Sequence, residues 1–258
     1  MAIDRLRLDG QTAVIIGGTT GIGRTLSLGL AEAGANVVAS SRRKSEVDAV
    51  ADELEKQGHK TIRAQSDVLE RATLEEVRAK TIEAFGRIDI LINCAGRTFK
   101  APAIEMSDAD WSAVLDTNLT GTFRSCQVFG KPMLDQGRGR IVNIASLSSF
   151  AALFQTAAYS ASKAGVVSLT QTLAVEWGRL GVNVNAIAPG VFRTALNEKL
   201  LDGTERGKEF LLRTPMRRFG KLEELVGAAI FLSSEAASFV NGETIAVDGG
   251  FLASAVNQ

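Results

Sequence analysis

Residues 12–33 read TAVIIGGTTGIGRTLSLGLAEA. The stretch opens with an apolar run over 12–17, the composition of a strand covered on both faces. Gly17, Gly18, Thr19, Thr20, Gly21, Ile22 and Gly23 follow, with the glycine spacing G-x-x-x-G-x-G. Over 22–33, Ile22, Leu26, Leu30 and Ala33 share one helical face. Glycines let the backbone turn sharply and approach a ligand with no Cβ between them. The helix that begins there offers free N–H groups and the positive end of its dipole to a phosphate. The spacing is neither the general G-x-G-x-x-G fingerprint nor a P-loop, since no Gly-Lys-Ser/Thr follows. Glycines alone would suit any tight strand–helix turn. Their place between a first strand and an amphipathic helix points to a dinucleotide site.

The same alternation runs outward along the chain. Strand candidates are 12–17, 36–41, 60–65, 88–93, 139–146, 182–189 and 243–249, and helical patterns fall at 22–33, 70–85, 107–130, 157–179 and 221–233. Strands alternating with helices predict an α/β fold with a parallel sheet and helices on both faces. No Pro/Ser-rich linker, repeat or low-complexity run divides the chain, so a single domain over 1–258 is expected. Residues 191–220 interrupt the alternation with charges and glycines, as either a surface insertion or a small flap over a site.

The second strand candidate ends in Ser41, Arg42 and Arg43, with no acid. An NAD site places a carboxylate there for the ribose 2′-hydroxyl, whereas a cation suits a 2′-phosphate; the expectation is NADP, with NAD the alternative.

Composition excludes other classes. Twenty-nine basic residues balance 29 acidic ones, which leaves no electrostatic footprint for nucleic acid or an anionic membrane. One histidine, His59, and two cysteines, Cys94 and Cys126, argue against a histidine triad, a metal site or a disulfide scaffold. Charges occupy the N-terminal segment where a signal peptide is apolar, and no window has about 18 apolar residues, so a cytoplasmic protein is expected.

Tyr159 is the only tyrosine, and Lys163 lies four residues later on the same helical face. An ammonium near a phenol favours phenolate and lowers its pKa from about 10, which suits proton transfer. Ser146 ends the fifth strand candidate, at the strand end where ligands of parallel sheets bind. Ser160 and Lys163 also read as S-x-x-K, the nucleophile motif of penicillin-binding proteins, but the accompanying S-D-N and K-T-G elements are absent.

Gly17-x-x-x-Gly21-Ile22-Gly23, Asn93-Cys-Ala-Gly96, Asn118, Ser146, Tyr159-x-x-x-Lys163, Pro189-Gly190 with Thr194, and GETIAVDGG at 242–250 occur in order. Over about residues 7–252 the chain resembles the short-chain dehydrogenase/reductase family. The resemblance implies a Rossmann-type doubly wound sheet of seven strands, order 3-2-1-4-5-6-7, and hydride transfer between a nicotinamide and a carbonyl or alcohol carbon. It implies Tyr159 as general acid/base, Ser146 as partner of the reacting oxygen, Lys163 on the nicotinamide ribose, and Asn118 holding a relay water. Asp67 and Val68 would contact adenine. Asn93, Ala95 and Gly96 would line the adenosine side, and Ile187, Pro189, Gly190 and Thr194 the nicotinamide. Ile16 and Cys94 depart from the family's more frequent threonine and asparagine.

Position after the catalytic strands nominates Arg97, Leu147, Ser148, Phe150, Phe154, Gly190 and Phe192 for the substrate pocket. Arg97 and Arg193 are candidate partners for an anionic substrate. The resemblance leaves 3-oxoacyl, sugar or polyol, and other ketone substrates open. It implies a homotetramer pairing helices 107–130 and 157–179 and the last strand, and the apolar segment 249–256 suits a subunit or a core contact. A non-catalytic NADP-binding sensor or scaffold is the alternative.

Overall fold

The computed structural model describes residues 4–194 and 197–254, apart from the side chains at 199 and 200. Six parallel strands form one sheet: β1 Thr12–Ile16, β2 Asn36–Ser40, β3 Ile90–Asn93, β4 Gly139–Ile144, β5 Val182–Pro189 and β6 Thr244–Val247. Their order is β2-β1-β3-β4-β5-β6. The expected seventh strand, 60–65, is reduced to one parallel bridge from Thr61 to Val37 of β2. Its place in the order is as expected, but a single bridge does not make a strand.

Alternation along the strands builds two cores, because successive side chains leave opposite faces. Ala13 and Ile15 point to one side with Val37, Ile90, Ile92, Val142 and Ile187. Helices α1 Gly21–Glu32, α2 Lys44–Lys56 and α9 Val226–Ser233 cover that side through Leu26, Leu30, Val50, Leu54, Ala229 and Leu232. Val14, Ile16, Val38, Leu91, Ile141, Val182 and Val184 face the other side. There, α3 Arg71–Phe85, α5 Gly121–Asp135 and α6 Ala157–Trp177 supply Leu74, Val77, Phe129, Met133 and Leu173. A strand buried on both faces has no polar alternation, which explains its near-continuous Val and Ile.

Periodicity leaves α2 out of the expected elements, although Val47, Val50, Ala51 and Leu54 are its buried stripe. The long pattern 107–130 is broken: α4 Asp108–Leu115 passes through a π-helical turn, Asp116–Thr120, into α5. In segment 191–220, α7 Glu198–Leu201 and α8 Glu205–Arg213 stand on a base closed by the Phe192–Gly220 bridge.

The order β2-β1-β3 reverses direction at β1, and the crevice at such a switch, beyond the carboxyl ends of the strands, is where open α/β sheets bind ligands. Gly17, Asn93, Ser146 and Pro189 all lie at those ends.

Candidate active site

Gly17, Gly18 and Gly23 of the glycine loop pack against their neighbours with no space for larger residues. Gly17 has φ +80°, and a Cβ there would lie 2.5 Å from the Ala95 nitrogen. The N–H groups of Gly17 and Gly18 both donate to the Ser40 carbonyl, and Cys94 N–H donates to that of Ile16. These bonds bind the ends of β1, β2 and β3 into one floor. Gly21, at φ +49°, differs: nothing lies within 4 Å of where its Cβ would be. Thr20, the residue before α1, places no side-chain cap on the helix. Open space over uncapped N–H groups at a helix start fits a pyrophosphate.

At the end of β2 the Thr19 hydroxyl donates to Ser41 at 2.8 Å. Arg43 is paired with Glu46. Arg42 is exposed and has no ionic partner among the described residues, so it is the cation of the pair left free for a phosphate. Beyond it, Asp67 accepts from Leu69 N–H through Oδ1, while Val68 is buried and its carbonyl accepts from Arg124.

Ser146, Tyr159 and Lys163 come together. The Ser146 hydroxyl accepts the Ser148 N–H at 3.1 Å, which leaves its own proton to donate. It reaches the Tyr159 phenol, and this contact lowers the phenol's pKa, but burial outweighs it and holds the pKa above the ordinary value. Proximity of Lys163 therefore does not lower it, contrary to expectation. The Lys163 ammonium stands 5.9 Å from the Tyr159 ring centroid and donates to the Ile144 carbonyl at 2.6 Å. Burial pushes the Lys163 pKa down to about 8. The neighbouring Cys94 thiol is pushed up to about 11 by the same cause.

Asn118 sits in the π turn, fully buried. Its Oδ1 accepts Arg97 N–H at 2.8 Å, and its Nδ2 donates to the Arg97 carbonyl at 2.9 Å and to Ser162 Oγ at 3.0 Å. Both Asn118 Oδ1 and Lys163 Nζ lie within 4 Å of where a Cβ on Gly96 would be. The Asn118 side chain is thus occupied as a clamp between the loop after β3 and α6. Ser162, which completes the clamp, carries no signal in the sequence that separates it from the serines around it. Asn93 is buried on β3, where its Nδ2 donates to Asn143 Oδ1 at 2.8 Å.

The nominated substrate residues divide. Ser148 is buried with an unpartnered hydroxyl, and Phe150 and Phe154 are exposed, on the loop between Ser146 and Tyr159. Phe192 is buried in the core, and its ring fills the space beside Gly220. Arg193 is neutralised by Asp202, at 2.6 Å, and Glu198. Arg97 is exposed with its backbone held by Asn118. Ile187 pairs with Ile144, Gly190 N–H donates to the Val247 carbonyl, and Thr194 N–H donates to Asn197. Ala255 and Val256 of the apolar C-terminal segment lie outside the described residues. Among the described residues no three His, Cys, Asp or Glu side chains gather as a metal site requires, and no helix is long and apolar enough to cross a membrane.

Residues 17–252 match a family model described as enoyl-(acyl carrier protein) reductase. Gluconate 5-dehydrogenase of Gluconobacter oxydans is 41% identical over 97% of this chain and 98% of its own length. D-threitol dehydrogenase of Mycolicibacterium smegmatis is 41% identical over 95% and 94%. The structure of a gluconate 5-dehydrogenase from Burkholderia cenocepacia in complex with NADP and tartrate superposes with a TM-score of 0.95 at 40% identity, over 99% of this chain and 100% of that one. With a glycine loop at the sheet's switch point and a serine, tyrosine and lysine converging beside it, the chain belongs to the short-chain dehydrogenase/reductase family and is an oxidoreductase of alcohol and carbonyl carbons.

Proposed function

We propose that this protein is an NADP(H)-dependent dehydrogenase of a small polyhydroxylated substrate, a sugar acid or polyol. The observation that carries the reading is the convergence of Ser146, Tyr159 and Lys163 at the carboxyl end of β4. Named relatives act on gluconate and threitol, and the similar Burkholderia structure is described with NADP. The free Arg42 supports NADP over NAD.

Gly17, Thr19, Thr20, Gly21 and Ile22 would hold the pyrophosphate, and Ser41, Arg42 and Arg43 the 2′-phosphate. Asp67, Val68, Asn93, Ala95 and Gly96 would line the adenosine, and Pro189, Gly190 and Thr194 the nicotinamide. The bound nicotinamide supplies or receives the hydride. In the reducing direction Tyr159 gives its phenolic proton to the substrate oxygen as negative charge develops there, and the Ser146 hydroxyl donates a second hydrogen bond to it. The phenol, with its pKa above the ordinary value of about 10, carries the proton it would give. Lys163 would hold the nicotinamide ribose, and Asn118 fixes the loop and helix on either side of it. A catalytic set this complete disfavours the sensor or scaffold alternative.

The whole chain works as one domain with 191–220 as its flap, Ser148, Phe150 and Phe154 facing the substrate, in a cytoplasmic homotetramer. A substrate panel tests the function: D-gluconate, D-threitol and a 3-oxoacyl thioester, each with NADP(H) and NAD(H), followed by absorbance of the reduced cofactor. Turnover of a polyhydroxylated substrate with NADP is the expected result. Preference for the thioester, or for NAD, contradicts the proposal.

A further inference from the structure

Beside the catalytic loop lies a cavity of about 190 Å³, walled by Leu153 and Phe154, by Arg206, Phe210 and Arg213 of α8, and by Phe251 near the C-terminus. Leu153 and Phe154 belong to the loop joining Ser146 to α6. The Leu153 carbonyl accepts from the Thr156 hydroxyl at 2.8 Å, immediately before the helix that carries Tyr159. Phe210 and Phe251 meet with ring centroids 6.2 Å apart, which brings the flap against the C-terminal segment.

Charge pairing around the cavity is uneven. Lys208 is paired with Glu205, Arg213 with Glu209, Arg193 with Asp202 and Arg218 with Glu224. Arg206 has no carboxylate partner among the described residues. Its guanidinium lies 5.3 Å from the Phe210 ring centroid, and Nη1 touches the Phe154 carbonyl at 3.5 Å. A guanidinium laid on an aromatic face keeps its N–H fork aligned and available at the edge. The cavity is below the roughly 300 Å³ of ordinary small-ligand pockets, so it takes one end of a small molecule. Glu209 also lines it, with its charge answered by Arg213. The net surplus is one positive charge, which matches a monoanion.

We propose that this cavity receives the carboxylate end of the substrate, with Arg206 as its counter-charge, so that the enzyme prefers a polyhydroxy acid over the neutral polyol of the same length. This rests on the function proposed above and names its substrate class. The positive residues nominated by sequence position, Arg97 and Arg193, are not the ones this assigns.

Calorimetric titration of the full chain with NADPH present, which cannot accept a hydride from an alcohol, tests it, using three six-carbon probes: D-gluconate, D-sorbitol and D-sorbitol 6-phosphate. Wild type should bind gluconate about ten-fold or more tighter than sorbitol, the range of a charge-assisted hydrogen bond. Arg206→Ala and Arg206→Gln should each bring that ratio to within about two-fold, and Arg206→Lys should restore part of it. Either neutral variant suffices if the other fails to fold. Equal binding of gluconate and sorbitol by wild type, a ratio that survives both neutral variants, or tightest binding of the phosphate overturns the proposal. Because binding is read without turnover, a wild-type gluconate preference with no reduced cofactor formed in the separate assay with NADP⁺ would count against the proposed reaction and leave the anion site standing.

Discussion

Two side chains show how far the chemistry depends on burial. Lys163 was legible from its spacing to Tyr159, but its bond to the Ile144 carbonyl was not, because strand β4 enters that site through its backbone. Burial lowers the Lys163 pKa from 10.5 to about 8, so the native state binds fewer protons than the unfolded chain between those values. Stability from this group therefore rises with pH across that window, by up to about 1.4 kcal/mol per unit. Denaturant titrations of wild type and Lys163→Met at pH 8 and pH 10 should differ in slope, wild type gaining about 2 kcal/mol relative to the variant. Parallel pH profiles would mean the ammonium is not desolvated. Cys126, raised from 9.0 to about 12, acts in the opposite sense above pH 9 in both proteins and cancels in the comparison, whereas Cys94, raised from 9.0 to about 11, is coupled to the Lys163 charge and does not cancel. Arg42 gives a second prediction. Arg42→Ala should weaken NADPH binding by about ten-fold or more and change NADH binding by less than about two-fold, read by fluorescence titration. Equal losses for both cofactors would place the 2′-phosphate elsewhere.

At the level of elements, the glycine loop separates structural glycines from binding ones. Gly17→Ala forces a Cβ to 2.5 Å from the Ala95 nitrogen at φ +80°. It should lower the melting temperature by several degrees, from strain of about 1–3 kcal/mol and the added clash. Gly21→Ala meets open space, so its main effect should be weaker cofactor binding, with at most about 1–2 kcal/mol lost from stability. Melting curves and cofactor titrations of the two variants check the contrast. The sequence pointed to a phosphate at this loop but could not divide its glycines, since the division depends on the loop after β3 packing behind Gly17. The π turn was illegible for a related reason: one inserted residue leaves composition unchanged and only shifts the hydrogen-bond ladder, placing Asn118 toward Arg97 and Ser162. The α2 stripe, by contrast, was present in the sequence at Val47, Val50, Ala51 and Leu54 beneath a run of charges.

For the whole molecule, the strand order was implied only by the family resemblance, whereas the parallel direction of the sheet could be read from the alternation of short apolar runs with helices, because doubly covered strands leave that trace. The edge at 60–65 could not, since a single bridge there depends on β2 rather than on local propensity. Assembly is a property of surfaces. Trp111, Phe123 and Val175 on α4, α5 and α6 are exposed large apolar side chains, and the proposed homotetramer would cover such faces. Light scattering should give four times the 27.4 kDa chain mass; a monomer at micromolar concentration would contradict this. In the proposed function, fold, cofactor cleft and flap would all serve one proton transfer, which the Tyr159→Phe variant tests most directly. It should bind NADPH within about two-fold of wild type while turnover of the best substrate falls by about 10²-fold or more. Turnover at the wild-type rate would show that the phenol is not the acid and would contradict the account.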